Sequence, residues 1–148
     1  MNILKNKKEW KITKLVLPQH TDHAGVMWHG SYFNFLEEAR IDALKKVGIS
    51  YSELSKKGFE IPVVSAKIMY KRSLMNGETI LLTSQFNLVN KIRLNCKSFF
   101  LKLNGDVGAE AMVELVVARK KNDLIKLVRD LPEEIKKILL LLEDGPKT

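Results

Sequence analysis

The hydrophobic positions of this chain follow two periods, and the change between them sets the order of elements. Residues 10–17 read as a first strand, which Pro18 stops. A loop over 19–30 follows. From 31 to 47 the apolar positions Tyr32, Leu36, Ala39, Ala43 and Val47 recur at steps of three and four, which makes a helix with one buried stripe. Asn34, Glu38, Asp42 and Lys45 form its solvated side. Ser31 suits the N-cap and Gly48 the position just past the C-terminus. Residues 51–57 fit a short second helix that ends at Gly58. Beyond it the period falls to two. Strands are expected over 60–74, 77–90, 92–103 and 106–119, with Asn104-Gly105 as a hairpin turn. A last helix over about 132–143 carries Ile135, Ile138, Leu139 and Leu142 on one side, with Pro132 at its start and acids in its first turn.

One strand, one long helix and four strands in meander argue for an α+β fold, with the helix on one face of an antiparallel sheet of about five strands. A single helix leaves much of such a sheet bare. A homo-oligomer, either homodimer or homotetramer, is therefore expected.

The length of 148 residues fits one domain, with a core over about 10–119. Charge widens the field of partners: the net +8 admits nucleic acid, an anionic membrane surface or a polyanionic small molecule. The lysines are scattered, as on an ordinary solvated surface, so nucleic acid is not an expected partner. Arg119-Lys120-Lys121 reads as a solvated turn. No apolar run reaches the roughly 18–20 residues of a membrane span, and residues 1–10 lead into no apolar signal segment. The one cysteine, Cys96, excludes an intrachain disulfide and fits a reducing, cytoplasmic setting. It sits in an apolar alternation, as a small core residue does.

Chemistry concentrates in His20-Thr21-Asp22-His23-Ala24-Gly25-Val26-Met27-Trp28-His29-Gly30. A carboxylate, three imidazoles and two glycines precede a long helix, whose N-terminus offers unpaired N–H groups and a positive dipole end. A carboxylate facing such donors is the minimum for hydrolysing an activated acyl group. The histidine spacing matches no zinc ligand pattern, so no metal is expected.

This stretch resembles the 4-hydroxybenzoyl-CoA thioesterase family of hotdog proteins, whose pattern runs roughly D-T-D-x-x-G-V-V-Y-H-x-x-Y. Thr21, Asp22, Gly25, Val26, His29 and Tyr32 fall in register, and Phe35, Glu37, Glu38, Ala39 and Arg40 continue it. Tyr70-Lys71-Arg72-Ser73-Leu74 with Gly77-Glu78 is similar to the family's Y-x-R-P-L-x-x-G-D. The resemblance covers about 10–119. It implies a hotdog fold, in which a curved antiparallel sheet wraps one long helix. It implies hydrolysis of an acyl-CoA with no cofactor beyond the coenzyme A of the substrate. Asp22 takes the place of the family's catalytic carboxylate and the backbone amide of His29 that of its oxyanion donor. Glu37 is the reserve carboxylate; Glu38 lies on the polar stripe. Gly25, Val26, Trp28, Tyr32 and Val64 would meet the acyl group, and Arg72 and Arg93 the phosphates of coenzyme A. His20 departs from the pattern, where the family has an acid. Two other readings stay open: a hotdog dehydratase or isomerase with a histidine base, and a non-catalytic module that binds acyl-CoA or nucleic acid.

Overall fold

The computed structural model describes residues 8–147. The elements are β1 (Trp10–Leu15), a 3-10 turn (Pro18–His20), α1 (His29–Lys46), α2 (Tyr51–Lys56), β2 (Phe59–Glu60), β3 (Val63–Tyr70), β4 (Thr79–Leu88), β5 (Arg93–Lys102), β6 (Val107–Val116), β7 (Ala118–Lys121), β8 (Leu124–Leu127) and α3 (Glu133–Asp144). The main sheet is antiparallel, five-stranded and ordered β1-β4-β5-β6-β3. The expected meander holds only for β4, β5 and β6. Strand β3 pairs with β6 at the far edge, and residues 71–78 carry the chain from one edge back toward the other. Alternation shows which face a residue takes but not which strand lies beside it.

The face beneath the helices carries Ile80, Leu82 and Phe86 from β4, Leu94, Cys96 and Phe100 from β5, and Ala109, Ala111 and Val113 from β6, each 3% exposed or less. Against them α1 packs Tyr32, Phe35, Leu36, Ala39 and Ala43. The two alanines let the helix lie close. On this face the hydroxyls of Ser84 and Ser98 bond each other at 2.8 Å, which satisfies both. Burial pushes the Cys96 thiol up, against weaker opposition from Ser98, Arg40 and Ser84, as befits a packing residue.

The C-terminus of α1 follows the sequence. Gly48 takes φ +100°, its N–H donates to Lys45 O, and the Ile49 N–H donates to Leu44 O. The N-terminus does not. The helix begins at His29, two residues before the expected cap, and Trp28 is the N-cap. Ser31 is inside the helix, where its hydroxyl donates to the carbonyl of His20. The chain past β6 also differs: Arg119-Lys120-Lys121 is strand rather than turn. Asn122 and Asp123, both at positive φ, make the turn, and β8 returns as the edge of a second sheet, β2-β7-β8. Asn and Asp tolerate that conformation better than other residues with a Cβ.

Candidate active site

The loop between β1 and α1 is built by backbone bonds. The N–H of Asp22 donates to Val26 O, and the N–H of Trp28 to His20 O. The crossover from β3 to β4 clamps it from outside. Met27 N–H donates to Leu74 O, Asn76 N–H to Gly25 O, and Val26 pairs with Met75 as a bridge. The crossover is itself tied to β1: Gly77 N–H donates to Val16 O and Val16 N–H to Glu78 O. Burial pushes the Glu78 carboxyl up, but bonds from the Met75 N–H and from Lys102 outweigh it and hold it below its usual range. The second sequence motif, Tyr70 to Glu78, thus buttresses the first.

Within this frame Asp22 is exposed, and its Oδ1 accepts the N–H groups of Ala24 (2.9 Å) and Val26 (3.1 Å). Both bonds fall on one oxygen and orient the carboxylate. The N–H of His29 lies in the first turn of α1, where no intrahelical carbonyl can reach it. Trp28 has no side-chain cap to offer. Its half-exposed ring lies over Gly30 instead, where a Cβ would come within 1.9 Å of Cζ3. The rings of Trp28 and His29 lie 4.7 Å apart, tilted by 44° to each other.

A cavity of about 430 Å³ opens here, lined among others by Asp22, Val26, Trp28, His29, Tyr32 and Arg72. Tyr32 forms its floor. Its ring makes edge contacts with Tyr70 and with Phe100, each at 5.0 Å. Burial, with smaller contributions from Tyr70 and Glu78, pushes the Tyr32 hydroxyl up to about 12, so it stays a neutral hydrogen-bonding group at any ordinary pH.

The structure brings together Asp22, Val26, Trp28, His29, Tyr32 and Arg72, with Gly25 held on the same loop by the crossover. Three residues stand apart. Glu37 is exposed on α1, eight residues past His29 or ~12 Å along the axis, and does not line the cavity. Val64 is exposed near the start of β3, six residues or ~20 Å from Tyr70. Arg93 opens β5 opposite Val116, whereas Tyr70 lies level with Ala109 and Phe100; seven residues of strand, ~23 Å, separate the two places. Lys14 pairs with Glu38 at 2.7 Å. Sequence reasoning missed Tyr70, Lys71 and Ser73, which line the cavity beside Arg72. All three belong to the second motif, where only Arg72 was given a role. Arg72 itself sits 3.7 Å from Asp106, an exposed pair of little energetic weight.

The histidines divide. His20 turns inward: its Nδ1 accepts the Leu17 N–H at 3.0 Å and its ring meets Phe35 edge-on. An imidazole thus accepts a backbone N–H at the position where the family pattern has an acid. His23 is exposed on the loop. Only His29 lines the cavity. Among the described residues, no three of His, Cys, Asp and Glu converge as metal ligands, and no helix is long and apolar enough to cross a membrane.

Comparison with known proteins bears on the family and the fold. The family model described as the thioesterase-like superfamily matches residues 16–139. A Synechocystis protein named "Putative esterase sll0410" is 33% identical over 137 residues, which is 92% of this chain and 81% of that protein. A Bacillus subtilis protein named "Putative acyl-CoA thioesterase YneP" is 41% identical over 59 residues, 40% of this chain and 43% of that protein. The crystal structure of a 1,4-dihydroxy-2-naphthoyl-CoA thioesterase from Synechocystis superposes with a TM-score of 0.80 at 19% identity, over 89% of this chain and 96% of that one.

Proposed function

Since the chain belongs to the thioesterase-like superfamily, we propose that it hydrolyses an acyl-CoA to the free acid and coenzyme A, with Asp22 as its catalytic carboxylate. One observation carries the reading: the Asp22 carboxylate, oriented by two backbone N–H groups, and His29 at the N-terminus of α1 line a single cavity. The thioester carbonyl is polarised by the His29 N–H and the helix dipole, which are in place before charge develops on the oxygen. Asp22 then acts in one of two ways. It attacks the carbonyl carbon, expels the coenzyme A thiolate and is freed when water cleaves the anhydride; or it takes a proton from water, which attacks instead. Both give the same acid and thiol, and neither calls for a metal or cofactor. Gly25, Val26, Trp28 and Tyr32 border the acyl group, and Arg72, with Lys71 beside it, meets the phosphates at the rim. The names of the Bacillus relative and of the Synechocystis structure support coenzyme A as the leaving group.

The functional unit is a homodimer or larger, in a reducing compartment. Strand β3 supports this with a free edge that leaves Val63, Val64, Met69 and Tyr70 between 39% and 53% exposed. If a partner's β3 pairs there in antiparallel sense, its Val64 end comes alongside Tyr70 and the cavity. That would restore Val64 to the acyl group.

The test is Asp22→Asn, which keeps size and removes the charge that both mechanisms use. Release of free thiol from a panel of acyl-CoAs, measured with a chelator present, should fall about a thousandfold, or ~4 kcal/mol of barrier, with the fold intact. A variant that keeps more than about a tenth of the rate, ~1.4 kcal/mol, would move the role to Glu37.

A further inference from the structure

We propose that the β7–β8 hairpin docks this protein on an anionic lipid surface. The hairpin spans residues 118–127 and carries four cations, Arg119, Lys120, Lys121 and Lys126, against the single acid Asp123. Among the described residues none of the four forms an ion pair. Arg119 lies instead over the Phe59 ring, 4.9 Å from its centroid. Leu124, Ile125 and Leu127 are 62%, 57% and 62% exposed on the outer strand. The register sets aliphatic against cation: Lys120 faces Ile125, and Lys121 faces Leu124. Both kinds of side chain therefore crowd at the tip, beside the Asn122-Asp123 turn. Aliphatic side chains that enter the headgroup layer, with lysines held at its charged surface, form the combination that binds a membrane without crossing it.

Two other occupants fit less well. A second copy paired edge to edge through β8 would meet it over four residues only, Leu124–Leu127, and would give Arg119, Lys120 and Lys121 no counter-charge. A nucleic acid strand would gain from the cations but not from three exposed aliphatics, and the hairpin has no aromatic residue on which a base stacks. Docking here also leaves the cavity open. Ala109, level with Tyr70, is nine residues or ~30 Å of strand from Ala118, so the hairpin projects from the opposite end of the sheet. The inference stands apart from the catalytic reading and needs no turnover to be observed.

The experiment is co-sedimentation of the full chain with vesicles of phosphatidylcholine alone or with one-third phosphatidylglycerol, at about 0.1 M salt. Wild type should partition at least tenfold more strongly onto the anionic vesicles, less so as salt rises. Lys120→Gln with Lys121→Gln should reduce that partition roughly thirtyfold, as the loss of two interfacial cations requires. Leu124→Ser with Ile125→Ser should reduce it at least tenfold. Both double variants should keep the wild-type mass in light scattering and the wild-type circular dichroism. Equal partition onto neutral and anionic vesicles, or undiminished binding by either variant, would overturn the proposal. A fall in oligomer mass would assign the hairpin to a subunit contact. Retention of single-stranded RNA without vesicle binding, lost only with the lysines, would assign it to nucleic acid.

Discussion

Strand β3 is richer in apolar residues than β5, with only Ser65 and Lys67 polar, yet β5 is the one that is buried. In β5 the inward residues Leu94, Cys96, Ser98 and Phe100 are 3% exposed or less; of the residues between them, Asn95 and Phe99 are half-covered and Lys97 is exposed. In β3 every residue but Ile68 is exposed. The cause is position. β5 lies between β4 and β6 under α1, whereas β3 has β6 on one side and, among the described residues, no strand on the other. The lesson is that an alternating pattern sets how a strand faces, and its rank in the sheet decides whether the apolar face is worth anything to the isolated chain.

The contrast can be broken first at its buried end. Phe100→Ala should cost about 3–5 kcal/mol of unfolding free energy in urea, the range for an aromatic removed from a closed core. A loss below about 1 kcal/mol would mean that β5 is not the anchor its burial implies.

Tyr32 joins the two strands, since its ring touches both Tyr70 of β3 and Phe100 of β5. Its hydroxyl titrates at about 12 in the folded chain and near 10 unfolded. The folded state therefore holds its proton more tightly, and this contribution is complete below pH 10 and fades as pH rises toward 12. Wild type should lose roughly 2 kcal/mol more than Tyr32→Phe across that interval, in paired urea titrations. Identical slopes would place the hydroxyl in water.

At the exposed end, Val64→Lys with Ala66→Lys should leave unfolding of the chain within about 1 kcal/mol of wild type, as surface changes do. The same pair should bring the mass in light scattering down to the 16.9 kDa of one chain. An unchanged larger mass would move the subunit contact to another face.

The smallest effect belongs to His29, whose ring and backbone the proposal separates. His29→Gln keeps the amide and the dipole, so its rate should stay within about tenfold, ~1.4 kcal/mol. A thousandfold fall, with loss of a limb in the pH–rate profile, would make the imidazole a proton carrier and favour dehydratase-like chemistry.

The sequence showed the helix, the alternation and the cavity-forming loop, because periodicity and the Asp22 to Tyr32 spacing are local. Ser31 misled because a serine near a helix start can serve in two ways; here it bonds the His20 carbonyl from inside the first turn. The hairpin at Asn122-Asp123 was hidden because its aliphatics are exposed and its lysines resemble a solvated turn. The remote placing of β3, Val64 and Arg93 was out of reach, since pairing between distant segments leaves no mark in either one alone.

The clamp between Met27 and Leu74 has a consequence for how the cavity persists in time. Its two walls come from segments nearly fifty residues apart (27 to 74), joined by backbone bonds and by the side chains of Met27 and Leu74, 4% and 0% exposed, which both belong to the core. Closing a chain of that length costs roughly 3 kcal/mol of entropy, and burial of those two side chains, at about 1.5–3 kcal/mol each, offsets it. The cavity wall is thus part of the same cooperative unit as the sheet. Its spacing should persist as long as the domain stays folded, so a bulky acyl group has to fit the cavity as it is built.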